Sequence, residues 1–125
     1  KQIQMNEIQN PKQYDLEDRT LRFAKRVRAF VKRLPKSIAN IEDARQLIKA
    51  SGSVGANYIE ANEALSKKDF MMRIKICRKE AQESRYWLRL VDTGSDAELE
   101  HERRDLEQEA TELTSIFGSI VRKGE

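Results

Sequence analysis

Cysteine occurs once in the 125 residues, proline twice, glycine five times, and aromatics make up only 6%. One thiol excludes an intramolecular disulfide framework, and so few turn-forming residues argue against a β-sandwich or barrel. No run approaches the ~18 consecutive apolar residues of a membrane helix, and Lys1 to Asn10 carries no apolar stretch of a secretory leader. The expectation is a soluble cytoplasmic protein in which Cys77 is a reduced, buried thiol; a first residue of Lys rather than Met suggests a trimmed start. There is one histidine, no phosphate-cradling glycine loop, no Cys pair and no Ser/His/Asp set. These absences leave neither a catalytic constellation nor a cofactor motif, so the chain reads as a non-enzyme.

What is present is charge, at 36% of residues, and apolar side chains at helical spacing. The length allows one domain with a modest core. Lys1 to Gln13 has no period and contains Asn10-Pro11, which predicts an N-terminal arm, with residues 14–125 forming the domain. A first helix is predicted from near Asp15, its acids Asp15, Glu17 and Asp18 at the positive end and Leu16, Thr20, Phe23, Val27, Phe30 and Leu34 along one side; Pro35 stops it. Asn40 reads as the N-cap of a second helix with Ile41, Ala44, Ile48, Ser51, Gly55 and Tyr58 in line and Leu47 and Val54 beside them.

The middle of that second helix, Ala50 to Ala56, is a run of small residues with two glycines, each costing about 1 kcal/mol relative to alanine inside a helix. Either a neighbouring backbone or large side chain approaches closely there, or the helix breaks at Gly52. Ser66 caps a third helix, with Asp69 in the capping-box position and Phe70, Ile74, Cys77, Ala81, Ser84, Leu88 and Val91 as its seam. Thr93 to Asp96 is a turn and a new cap, and Leu99, Leu106, Ala110, Leu113, Phe117 and Ile120 line a last helix. Short connections between four helices predict an all-α, antiparallel, up-down-up-down bundle.

Charge is unevenly placed: residues 1–95 hold 20 Lys and Arg against 12 Asp and Glu, whereas residues 96–125 hold 4 against 9. On the third helix Lys75, Arg78, Gln82, Arg85 and Arg89 form a row at steps of three and four, with Lys68, Lys79 and Tyr86 nearby. On the first, Arg19, Arg22, Arg26 and Arg33 make a second row, adjoined by Lys25, Arg28, Lys32 and Lys36. Such rows suit a phosphate backbone, onto which guanidinium groups fork; they equally suit a solvated face neutralised by an acidic last helix, and both readings stay open. A separate line, Ile76, Glu80, Glu83, Trp87 and Leu90, either completes the monomer core or lies between subunits.

Two chemical motifs fail. Glu98-Leu99-Glu100-His101 matches half of a di-iron Glu-x-x-His pair, but His101 has no second histidine to complete it. Glu60 with Glu63 and Glu80 with Glu83 are carboxylates three apart, ordinary on helices, with no partner marking a substrate pocket.

Three stretches carry a resemblance: Ser51-Gly-Ser-Val-Gly-Ala-Asn-Tyr-Ile-Glu-Ala61, Ser66-Lys-Lys-Asp-Phe70 and Lys79-Glu-Ala-Gln-Glu-Ser-Arg-Tyr-Trp-Leu88. With Phe23 to Val27 and Leu34-Pro35, the sequence from about Tyr14 into the last helix resembles the bacterial four-helix-bundle family encoded in intervening sequences of large-subunit ribosomal RNA genes. The resemblance implies a ring-like homopentamer with no established catalytic activity. A related branch is the accessory protein of diversity-generating retroelements, a basic pentamer that binds nucleic acid and a reverse transcriptase. The acidic last helix and a net charge of only +3 set this chain apart from that branch and argue against a reverse-transcriptase partner. The function expected is an oligomeric bundle binding RNA or a nucleoprotein through Arg19, Arg22, Arg26, Arg33, Lys68, Lys75, Arg78, Arg85 and Arg89, without membrane, metal or cofactor. The competing expectation is a protein-interaction or scaffold module.

Overall fold

The heptad-like lines of apolar residues close into four helices. The computed structural model describes residues 11–125, with side chains from Leu16 onward: α1 (Pro11–Arg33), α2 (Ile38–Asn62), α3 (Lys67–Leu90) and α4 (Ala97–Gly124). Each helix packs on its two neighbours in the cyclic order α1-α2-α3-α4, and across the diagonal the Tyr58 ring of α2 meets the Phe117 ring of α4 with centroids 5.8 Å apart. Paired cross-links, in which the residue number rises on one helix as it falls on the other, fix the antiparallel sense. Arg19 meets Glu109 while Arg33 meets Glu98, and Cys77 meets Val54 while Arg73 meets Asn57. The proposed arm falls largely outside the described residues. Helix α1 opens at Pro11, four residues before Asp15, because proline lacks only an N–H that the first turn leaves unused. The acids at 17 and 18 therefore sit in the second turn, where Glu17 accepts from Asn62 and Asp18 pairs with Arg22.

The seams of α1, α3 and α4 lie where the spacing puts them. Leu16, Thr20, Phe23, Val27, Phe30 and Leu34 are all buried, as are Ile74, Cys77, Ala81, Ser84, Leu88 and Val91, and Leu99, Leu106, Ala110, Leu113 and Phe117. Phe70 and Ile120 pack partly buried at the margin. Ser66 and Asp96 cap their helices as expected, accepting from the amides of Asp69 and Leu99. Gly94 turns the α3–α4 connection at φ +70°, a conformation L side chains resist.

Helix α2 departs from the sequence reading in two ways. Its N-cap is Ser37, whose hydroxyl accepts from the Asn40 amide. Asn40 is instead buried inside the first turn: Nδ2 donates to Pro35 O at 2.9 Å and to Asp92 O at 2.8 Å, and Oδ1 accepts from Asp92 N at 3.0 Å. One side chain thus ties the α1–α2 turn to the α3–α4 turn. The buried line is also rotated, running through Asn40, Ala44, Leu47, Ser51, Val54, Tyr58 and Ala61, while Ile41 is exposed and Ile48 and Gly55 flank it.

The helix does not break at Gly52. A Cβ built at Gly52 would stand 3.3 Å from Arg28 Nη2, and one at Gly55 would stand 2.9 Å from Thr20 Oγ1 and 3.2 Å from Thr20 Cβ. Close approach of α1 is therefore what the small residues permit. Thr20 cannot retreat, since it is buried and its hydroxyl donates to Leu16 O at 2.8 Å. Gly55→Ala, which would gain about 1 kcal/mol in an open helix, is expected here to lose about 1 kcal/mol net. Thermal denaturation checks this: the midpoint should fall a few degrees, and the same change in a Thr20→Ala background should be neutral or stabilising.

Candidate nucleic-acid interface

The two cationic rows meet different fates when the bundle closes. On α1, Arg19, Arg26 and Arg33 recur every seven residues and all face α4. Arg19 forks onto Glu109, at 2.7 and 2.9 Å, and reaches Glu112 at 2.8 Å; Arg26 meets Glu102 at 3.4 Å; Arg33 meets Glu98 at 3.1 Å and Asp96 at 3.6 Å. Hydrogen bonding to Glu109 holds the Arg19 guanidinium above its ordinary pKa, and the bonds from Gln108 and Arg19 hold Glu112 below its own. Arg22 is bound within its own helix to Asp18, 3.0 Å away. Exposed and without a carboxylate within 4.0 Å among the described residues are the adjoining Lys25, Arg28 and Lys32 on α1 and Lys36 just beyond its end.

The row on α3 is different. Lys68, Lys75, Arg78 and Arg85 have no carboxylate within 4.0 Å among the described residues, and Arg89 has only Glu107, 3.8 Å away and at the rim. The antiparallel packing of α4 adds a cation that spacing within one helix cannot reveal. A Cβ at Gly118 would lie 3.3 Å from Arg122 Nη1 and 3.8 Å from Arg78 Cδ, so Arg122 joins Arg78 over the α3–α4 groove. Along the first half of α3 an open depression of about 680 Å³ is bordered by Lys68, Asp69, Lys75 and Lys79 around Met71, Met72 and Ile76. Its rim holds three cations and one carboxylate, its floor is apolar, and it is too open to seal a reaction from water.

The acids of α4 not used on α1 are spent near its start. Glu100 accepts from Thr93, Arg103 and Arg104, and Arg103 also bonds Glu107; these hydrogen bonds, that from Arg103 foremost, pull the Glu100 carboxyl down to about 2. The last helix therefore neutralises α1 and itself, leaving α3 nearly untouched.

Other candidates resolve into structure. Cys77 is fully buried with Sγ 3.4 Å from Val54 O, and burial pushes its thiol up to about 12, which keeps it protonated and unreactive. His101 lies 3.4 Å from Asp105, and no group of three His, Cys, Asp or Glu side chains among the described residues is placed to hold a metal. Burial and the neighbouring Glu83 raise the pKa of Glu80. Trp87 is partly buried against the core, with the Tyr86 ring edge-on at 5.0 Å and 76°. No described helix is long and apolar enough to cross a membrane.

The small-residue run on α2 and the capped start of α3 are among the stretches that carry the resemblance to the intervening-sequence family. The model of the 23S rRNA-intervening sequence proteins matches residues 12–119. The chain belongs to this family. Among solved structures, this intervening-sequence protein is similar to the 1.70 Å crystal structure of a protein of unknown function from the S23 ribosomal protein family of Bacteroides thetaiotaomicron VPI-5482. The TM-score is 0.70 at 29% identity, over 84% of this chain and 96% of that one. No curated protein matches it. For this intervening-sequence protein the resemblance carried by Ser51 to Leu88 holds, and with it the four-helix architecture.

Proposed function

We propose that this chain is a non-enzymatic, ring-forming homo-oligomer, as a homopentamer, that binds RNA along the outer ridge of α3. The single observation carrying this reading is the contrast between the two rows: the α1 arginines facing α4 are consumed by carboxylates, while Lys68, Lys75, Arg78 and Arg85 are left facing solvent without one among the described residues. Aligned cations repel one another, and a polyanion relieves that repulsion by displacing counterions. The α1 arginines Arg19, Arg26 and Arg33 are assigned the separate task of holding α1 to α4. Assembly follows from the other side of α3, where Met72 and Leu90 are about half exposed beside Ile76 and Trp87. Copies joined there repeat the ridge by symmetry and convert weak single-ridge binding into avid binding.

RNA affinity should fall steeply and log-linearly with salt, with a slope of about 0.7 per phosphate engaged on a single strand. Fluorescence anisotropy across a salt series checks it; affinity indifferent to salt, or none at low salt, rejects the reading. The exposed apolar side chains on α3 also favour a second reading, a protein-docking scaffold, and a nuclease-treated pull-down separates the two. A partner lost with the RNA supports the first, and a partner retained supports the second.

A further inference from the structure

We infer that the α3 ridge selects single-stranded over duplex RNA by stacking an unpaired base on Tyr86; this rests on the RNA reading above. Tyr86 does not sit at the edge of the ridge but within it. Lys75, Lys79, Gln82, Tyr86 and Arg89 follow steps of four, three, four and three, so they share one line on the helix surface. A strand whose phosphates follow those cations passes directly beside the ring.

Three observations fit the ring for a base. First, it is 58% exposed, unlike the aromatics of the core, and its packing against its neighbour leaves that area to solvent. Second, it is already oriented: the T-shaped contact with Trp87, itself packed on the core, holds the Tyr86 ring so that little side-chain freedom is left to lose on stacking. Third, its two sides differ in charge. Arg78, Arg85 and Arg89 occupy the side toward α4, whereas the exposed Glu83, three residues before Tyr86, stands on the side toward Ile76 and Trp87, where Lys79 offsets it. A phosphate chain is held most strongly on the arginine side, which turns the base across the ring. Gln82, one turn before Tyr86 and also exposed, offers an amide to the base edge. A duplex hides its base faces in its own stack, so it can use the cations but not the ring.

The test uses the full chain with three fluorescent probes of equal length: a single-stranded RNA, the same strand with abasic positions, and an RNA duplex. Tyr86→Ala is expected to weaken binding of the single strand roughly tenfold or more, the range of one stacked base, and to leave the duplex and abasic strand within about twofold. Tyr86→Phe, which keeps the ring, should restore single-strand affinity. Thermal melting of each variant checks that the exposed substitution leaves the fold intact. Equal loss on single strand and duplex, or no loss on either, overturns the stacking role while leaving RNA binding by the ridge in place. A wild-type protein that binds none of the probes at low salt overturns both.

Discussion

Asn40→Ala should destabilise the protein by about 3 kcal/mol, the largest effect expected of any single truncation outside the apolar core. The side chain makes three hydrogen bonds of 2.8 to 3.0 Å to the main chain of Pro35 and Asp92. Each contributes about 1 kcal/mol net, and alanine leaves the Asp92 N–H and two carbonyls without their partner in a partly buried place. The midpoint of thermal unfolding should fall by roughly 10 °C, with the urea m-value unchanged because the folded surface is unaltered. Asn40→Asp should fail comparably, since a carboxylate set between two carbonyl oxygens has no proton to donate to either. A loss below about 1 kcal/mol would mean that the two turns are held together by packing alone.

The second large effect is on binding. Replacing Lys75, Arg78, Arg85 and Arg89 together by Gln should reduce RNA affinity at least a hundredfold near 0.1 M salt. The slope of log affinity against log salt should become shallower by about three for each ridge engaged, four phosphate contacts at about 0.7 each. Folding should be little affected, because none of the four is buried and only Arg89 has a carboxylate nearby. The informative control is Arg19→Gln, Arg26→Gln and Arg33→Gln in one chain. That variant removes nearly the same charge from the α1–α4 seam and should lower stability while leaving RNA affinity within a fewfold. If both triplet and quadruplet weaken RNA equally, net charge rather than the α3 ridge governs binding.

How far the sequence carried this picture differs from helix to helix. In α1, α3 and α4 large apolar residues alternate with charged ones, so the 4-3 spacing has contrast and the buried line is legible residue by residue. In α2 the stretch Ala50 to Ala56 is small except for Val54, and a periodicity without contrast cannot fix which face is inward; spacing alone points to Ile41, Ile48 and Gly55. Asn40 escapes a local reading for another reason. An Asn at the head of a periodic run has the local signature of a cap, and its real partner is 52 residues away. The α3 ridge was legible because it lies on one helix. Its reinforcement by Arg122 was not, as that requires knowing which turn of α4 lies beside Arg78. The pairing across α1 and α4 did leave a trace. Arginines every seven residues, set against Glu98, Glu102, Glu109 and Glu112, are the pattern of facing charges that flank an antiparallel seam.

The arginine rungs between α1 and α4 also give the molecule an uneven mechanical character. Helix α3 approaches both α2 and α4 closely across Ala, Ser, Cys and Gly, and α1 comes close to α2 where Thr20 meets Gly55, whereas α1 and α4 pack sparsely and are tethered along their shared side by charge. Ions in the medium loosen that tether and leave the tight three-helix block indifferent. The first helix is thus the one expected to open ahead of the others, and hydrogen exchange in α1 should quicken with added salt more than in α2 or α3.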